Sequence, residues 1–187
     1  MVMNPGPHVV LQQRLRAAFE WRGDPGNPDR YADVTGWWRR ADLLSRLGPA
    51  LAGLFAAEAP SVVLGLESRG CILGPLVAVH LGVGFVEVRK RAEPLADADA
   101  WLKTTTPPDY RDRQVELAAR RALLEPGDRA LLVDDWMATG GQGLGVRRIV
   151  DASAATWLGA AILVDALPDN RTRRALNVRS LLHVRDL

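Results

Sequence analysis

The run from Ala130 to Gln142, Ala-Leu-Leu-Val-Asp-Asp-Trp-Met-Ala-Thr-Gly-Gly-Gln, constrains the fold more than any other stretch of the chain. Its first four residues are apolar without alternation, the pattern of a strand buried on both faces of a parallel sheet. Two carboxylates follow at once, and small residues then open a helix. Such a strand places hydrogen-bond acceptors beside backbone donors. Asp134 and Asp135 can accept from the vicinal hydroxyls of a sugar. Ala138, Thr139, Gly140, Gly141 and Gln142 offer N–H groups and a helix N-terminus to a phosphate a few ångströms away. A ribose 5-phosphate satisfies both halves.

The rest of the chain repeats the theme. Short apolar runs at 61–66, 85–88, 160–164 and 181–184 read as further buried strands. Helical spacing separates most of them, at 70–80 and at 142–157, where Val146, Ile149, Val150, Ser153 and Trp157 share a face. Strand–helix alternation predicts an α/β doubly wound, mainly parallel sheet with flanking helices. Before it, 8–21 reads as a short amphipathic helix and 41–57 as a longer one, with Gly48-Pro49 able to kink it. Residues 1–30 form an N-terminal helix and loop extension in this reading, and 31–187 the main domain. Residues 92–122 break the rhythm: they are polar, hold Pro94, Pro107 and Pro108, and read as a lid between strands. Ligands of such sheets bind at the carboxyl ends of the strands. Glu67-Ser68-Arg69-Gly70 and Asp134-Asp135 both fall there.

Composition narrows the class. A chain of 187 residues fits one domain with its own core, and a net charge of +2 lacks the basic footprint of a nucleic-acid binder. The single cysteine, Cys71, rules out an internal disulfide and suits a reducing compartment. It reads as a small packed hydrophobe. No signal-peptide pattern opens the chain, and no apolar run is long enough to span a membrane. A cytoplasmic protein with no membrane or nucleic-acid partner is expected. His8, His80 and His183 show no metal-ligand spacing.

Residues Val133 to Gly141 resemble the phosphoribosyl-pyrophosphate (PRPP) motif of type I phosphoribosyltransferases, closest to the adenine phosphoribosyltransferase family. Asp33-Val34-Thr35, Gly65-Leu66-Glu67-Ser68-Arg69-Gly70 with Leu73-Gly74-Pro75, Val88-Arg89-Lys90-Arg91 and Leu124-Glu125-Pro126-Gly127 match that family in order. The likeness covers 31–187. It implies Mg²⁺-dependent transfer of ribose 5-phosphate from PRPP to a nucleobase, adenine first. Asp134 and Asp135 would hold the ribose hydroxyls, directly or through Mg²⁺, and favour a cationic ribosyl transition state. Residues 138–142 would bind the 5-phosphate. Glu67, Ser68, Arg69 and Gly70 would bind diphosphate, and Arg89 would reach it across a homodimer interface. Asp134, Asp135 and Arg69 are the catalytic candidates. Tyr31 would stack on the base, and Met137 would face the base pocket or the core. The 92–122 segment would be a flexible hood.

The chain also departs from that pattern. Glu67 stands where the family has Asp, Gln142 where it has Thr, Glu93 where it has Lys, and Arg111 where it has a catalytic Glu. Asp109, Asp112 or, least suitably, Glu116 could substitute for that glutamate. Trp136 and Met137 replace an aliphatic pair. These departures leave open a PRPP-binding regulator without activity, or an unusual heteroaromatic acceptor. Trp37 and Trp38 are adjacent, so one is expected in the core and the other at an interface or in the pocket.

Overall fold

A computed structural model of the chain describes residues 7–27, 30–90, 98–107 and 114–187. The helix expected over 8–21 is α1, Pro7–Ala17. It stops early because the chain turns into an extended ribbon, β1 Glu20–Arg22 against β2 Tyr31–Asp33. The boundary expected at 30/31 falls between these two strands. Helix α2, Thr35–Arg39, is followed by α3, Ala41–Gly53, which absorbs Pro49 without stopping. Leu11 and Leu15 of α1 share one core with Leu43, Leu47 and Leu51 of α3.

The main sheet has strands β3 Val62–Leu66, β4 Gly84–Lys90, β5 Trp101–Thr105, β6 Glu116–Arg120, β7 Arg129–Met137, β8 Thr156–Asp165 and β9 Val178–His183. Their order across the sheet is β5-β6-β4-β3-β7-β8-β9. β4, β3, β7, β8 and β9 run parallel, and β5 and β6 extend the β4 edge as an antiparallel pair. The expected doubly wound sheet is present. The segment read as a lid is thus in part sheet: Thr106 and Val115 continue the β5–β6 ladder by mutual backbone and side-chain hydrogen bonds. Both strands are only five residues long, neither alternates cleanly between faces, and Pro107 follows β5, so local pattern reads as loop.

Helix α4, Gly70–Leu81, joins β3 to β4, and α5, Gly141–Ala152, joins β7 to β8. They cover opposite faces. Leu73 and Val77 of α4 pack with the α1–α3 core, whereas Val146, Ile149 and Val150 of α5 pack with Leu132 and Ile162 on the other side. Helix α5 ends before Trp157, which lies instead in β8. The chain leaves β3 toward β4, then returns to β7 on the other flank of β3. The winding reverses there, and the loops after β3 and β7 diverge to open a crevice.

Of the tryptophan pair, Trp37 is fully buried and donates its indole N–H to the Leu15 carbonyl at 2.9 Å. Trp38 packs edge-on against it at the margin of the same core, and neither lines the crevice.

A clamp at the end of β8 secures the turn below the crevice. The buried Asp165 carboxylate accepts from Arg173 at 2.5 Å and from the Leu167 N–H at 2.9 Å, while Arg173 also reaches the Leu167 carbonyl at 2.9 Å. Burial alone would push Asp165 up, but these donors hold it below the usual carboxylate range. A depressed carboxylate contributes stability above its unfolded value, and that contribution is lost as pH falls through the folded one. Asp165→Asn is therefore expected to be less stable at neutral pH. The gap to wild type should close as pH drops below about 4, read by denaturant unfolding at both pH values.

Candidate active site

The crevice between the β3 and β7 loops holds a cavity of about 250 Å³, lined by Leu66, Asp134, Trp136, Met137 and residues 138–143. This is just below the roughly 300–1,000 Å³ of small-molecule pockets, and suits a sugar phosphate whose substituents project out. Asp134 and the expected 138–142 loop are brought together here, whereas Asp135 is not part of the lining.

The loop's shape follows from its glycines. Gly140 adopts φ +76°, and a Cβ there would lie 2.5 Å from Thr172 Cγ2 of α6, Asn170–Ala175. Only glycine lets the loop lie on α6 in this backbone state. The N-cap of α5, Gly140, has no side chain to cap it, and residues 141–143 of the first turn line the cavity, where their N–H groups can meet an anion. Thr139 is exposed, and its hydroxyl accepts from the Gly141 N–H at 3.4 Å.

Strand β7 carries on through both aspartates to Met137, but its alternation breaks near them: Trp136 packs with the core of Leu131 and Val133, and Met137 with that of Leu132. Asp134 lines the cavity and accepts from the Asp135 N–H at 2.9 Å. Burial, and then the neighbouring Asp135 carboxylate, hold Asp134 well above the usual carboxylate range; the Asp135 N–H bond and the Lys90 ammonium work the other way. Asp135 is 6% exposed and accepts from Arg69 Nη1 at 2.7 Å. That ion pair ties the β3 loop to the β7 strand across the crevice.

The β3 loop divides its roles. The Glu67 carboxylate accepts from the Lys90 N–H at 2.9 Å, which fastens the loop to β4. A carboxylate has no donor to give a diphosphate, so this loop's anion contacts fall to Ser68, Arg69 and backbone N–H groups. The Glu67–Ser68 peptide is cis. Gly70 has no room for a side chain: a Cβ would sit 3.0 Å from the Val133 carbonyl and 3.3 Å from Asp134 Oδ1.

Three expected residues lie away from the cavity centre or play a second part. Met137 is 5% exposed; a Cβ at Gly143 would lie 3.1 Å from its Cε, so it forms core beneath α5 as well as cavity floor. Tyr31 is 59% exposed and does not line the cavity. Arg89 is exposed beside Glu87, 3.9 Å away, on the β4 face opposite Lys90. Glu93, Asp109, Arg111 and Asp112 lie outside the described residues. Glu116 opens β6, exposed and paired with Thr105. The sequence reading missed Lys90 as a charge felt by Asp134. Alternation along β4 would have revealed it, since Val86 and Val88 are buried on Lys90's face.

Among the described residues, no group of three or more His, Cys, Asp or Glu side chains could cage a metal. Mg²⁺ seldom needs one: it is commonly held by one or two carboxylates, waters and substrate phosphates. A cavity-lining Asp134 destabilised as an anion beside Asp135 fits that mode.

A polyol-and-phosphate pocket at the switch point of a doubly wound sheet is the architecture of a type I phosphoribosyltransferase. Comparison with known proteins agrees. No protein-family model matches the chain. An adenine phosphoribosyltransferase of a Nocardioides species is 37% identical over 187 residues, covering 96% of this chain and 98% of that one. One from an Acidovorax species is 34% identical over 162 residues, 85% and 83% of the two chains. Among solved structures, the Rhodothermus marinus adenine phosphoribosyltransferase superposes with TM-score 0.79 at 29% identity, over 94% of this chain and 99% of that one. The Saccharomyces cerevisiae enzyme, complexed with adenine and an imino-altritol bisphosphate, gives 0.78 at 28%, over 93% and 99%. The chain belongs to the adenine phosphoribosyltransferase family.

Proposed function

We propose that this enzyme transfers ribose 5-phosphate from PRPP to adenine in purine salvage. The bond from C1 of the ribose to the diphosphate oxygen breaks with its electron pair leaving on diphosphate. A bond from a ring nitrogen of adenine to C1 forms, and that nitrogen's proton is released. The observation that carries the reading is the cavity lined both by Asp134 and by the first turn of α5.

Each group then has a task its geometry allows. The α5 N–H groups and Thr139 hold the 5-phosphate. Asp134 accepts from the ribose hydroxyls and its charge favours the cationic ribosyl transition state. Arg69, anchored on Asp135, keeps further N–H groups for diphosphate oxygens. Asp134 and Asp135 would hold Mg²⁺ together with substrate oxygens, and the ion would neutralise charge on the diphosphate. Tyr31 offers an exposed ring face to the base.

A homodimer in which Arg89 reaches the partner's diphosphate is part of the proposal. It is supported by the exposure of Arg89 and by apolar side chains on the outer face of α4, where Val79 is 82% exposed. We place the protein in the cytoplasm, consistent with its one free thiol. Among the described residues, no helix is long and apolar enough to cross a membrane.

The test is diphosphate release from PRPP with Mg²⁺ across a panel of purines and pyrimidines, with an Asp134→Ala/Asp135→Ala double variant as control. Release with adenine, abolished in the variant, is expected. Release with another base alone would reassign the acceptor. Silence with every base, alongside PRPP binding, would overturn the transfer reaction.

A further inference from the structure

The ribbon of β1 and β2 stands apart from the main sheet. A two-stranded ribbon is marginal alone and needs packing to stay in place. Its packing is aromatic. Phe19, just before β1, stacks on Trp136 with ring centroids 6.3 Å apart and planes 19° apart. Trp21 of β1 meets Trp136 edge-on at 6.1 Å and Phe19 edge-on at 5.3 Å. Arg30, just before β2, lies over the other side of this clasp, 4.6 Å from the Trp21 ring. Trp136 is thus a wall of the ribose-phosphate cavity on one side and the anchor of the ribbon on the other.

The ladder register then decides what the ribbon presents. Trp21 pairs with Ala32, and Arg22 with Tyr31. Side chains alternate along each strand, so Trp21 and Ala32 share the face turned to Trp136, while Tyr31 projects from the other. Among the described residues, the Tyr31 side chain makes no hydrogen bond or ring contact that would hold it near the cavity. Its placement is inherited from Trp21 and Phe19 docked on Trp136.

We infer that Trp136 and Trp21 are positioning residues for the acceptor base: their clasp sets the ribbon, and with it Tyr31, relative to the ribose. This rests on the transfer reaction proposed above. It explains why an aromatic serves at a position where an aliphatic side chain could line the cavity equally well: a short aliphatic would not reach Phe19 and Trp21.

The experiment compares wild type with Trp136→Leu, Trp21→Ala, the double variant and Trp21→Phe, in steady-state kinetics with PRPP and adenine. Each aromatic pair contributes an amount that converts to about 2- to 13-fold. Trp136→Leu and Trp21→Ala are each expected to raise the KM for adenine on the order of tenfold, and Trp21→Ala, outside the cavity, should change the KM for PRPP less than about twofold. The double variant should be no worse than either single variant, and Trp21→Phe should recover most of the loss. If Trp136→Leu raises the adenine KM but Trp21→Ala does not, Trp136 acts by direct contact and the clasp is overturned. Hydrogen–deuterium exchange separates this from failure of the transfer reaction itself. Even if no base is turned over, Trp136→Leu should speed exchange at 20–22 and 31–33 and leave β3 unchanged. Unchanged exchange in the ribbon would overturn the inference independently.

Discussion

Asp134→Asn is expected to slow diphosphate release by about a hundredfold or more while making the protein more stable at neutral pH. The two effects share one cause. Asp134 sits half-buried in the cavity wall beside a second carboxylate, and desolvation and that charge both oppose its ionisation. Without substrate, the folded protein holds a proton at Asp134 to higher pH than an unfolded aspartate, which releases it near about 3.9. Over that interval the folded state holds more protons than the unfolded one, so wild-type stability falls as pH rises. Asparagine removes that slope and still accepts from the Asp135 N–H. Bound Mg²⁺ and the developing ribosyl cation both favour ionised Asp134 over its protonated form, and asparagine has no charge to give them. Denaturant unfolding at pH 5 and pH 8, with activity on the same samples, checks both parts. A variant that is equally active, or one that loses stability at pH 8 relative to wild type, would contradict this account of Asp134.

Gly65→Ala carries the largest expected cost to folding. Gly65 lies in the middle of the sheet on β3, and a Cβ there would stand 2.3 Å from the Gly70 carbonyl oxygen and 2.7 Å from its carbon. Both are backbone atoms at the start of α4, and Phe85 Cε2 closes the remaining side at 2.8 Å. Nothing flexible can yield, so the helix must lift from the sheet. Overpacking of this kind costs about 3 kcal/mol or more, which is about 6–12 °C in Tm for a chain of this length. Lifting α4 also moves Arg69 from Asp135, so activity should fall further than stability alone explains. Thermal unfolding together with the kcat of the folded fraction measures each. A loss of less than about 1 kcal/mol would show that α4 is not seated as tightly as the geometry requires.

Phe85 explains a second close approach on the same helix. A Cβ at Gly74 would lie 2.4 Å from Phe85 Cε2. The two glycines of α4 and β3 are thus one packing solution around a single ring, and neither is interchangeable with alanine.

Much of this protein was readable from local chemistry. Unbroken apolar runs announced buried parallel strands, because a strand covered on both faces has no position for a polar residue. The Asp-Asp-Trp-Met-Ala-Thr-Gly-Gly run announced a sugar-phosphate site, because carboxylates, a small-residue loop and a helix start occur there in direct succession along the chain. Strand–helix alternation then brought Glu67–Gly70 and Asp134–Gln142 to one edge, since right-handed crossovers leave few alternatives. Interactions between distant segments were decided only by the tertiary structure. The Arg69–Asp135 pair, the Glu67 bond to Lys90 and the Asp165–Arg173 clamp each depend on side-chain direction after the strands have been placed in register. The β1–β2 ribbon cut short a helix read from amphipathic spacing, because pairing Trp21 with Ala32 and docking it on Trp136 outweighs local helical preference. Local pattern fixes which backbone shape a segment favours; which side chains meet across the crevice is set by register and packing, and those are properties of the whole chain.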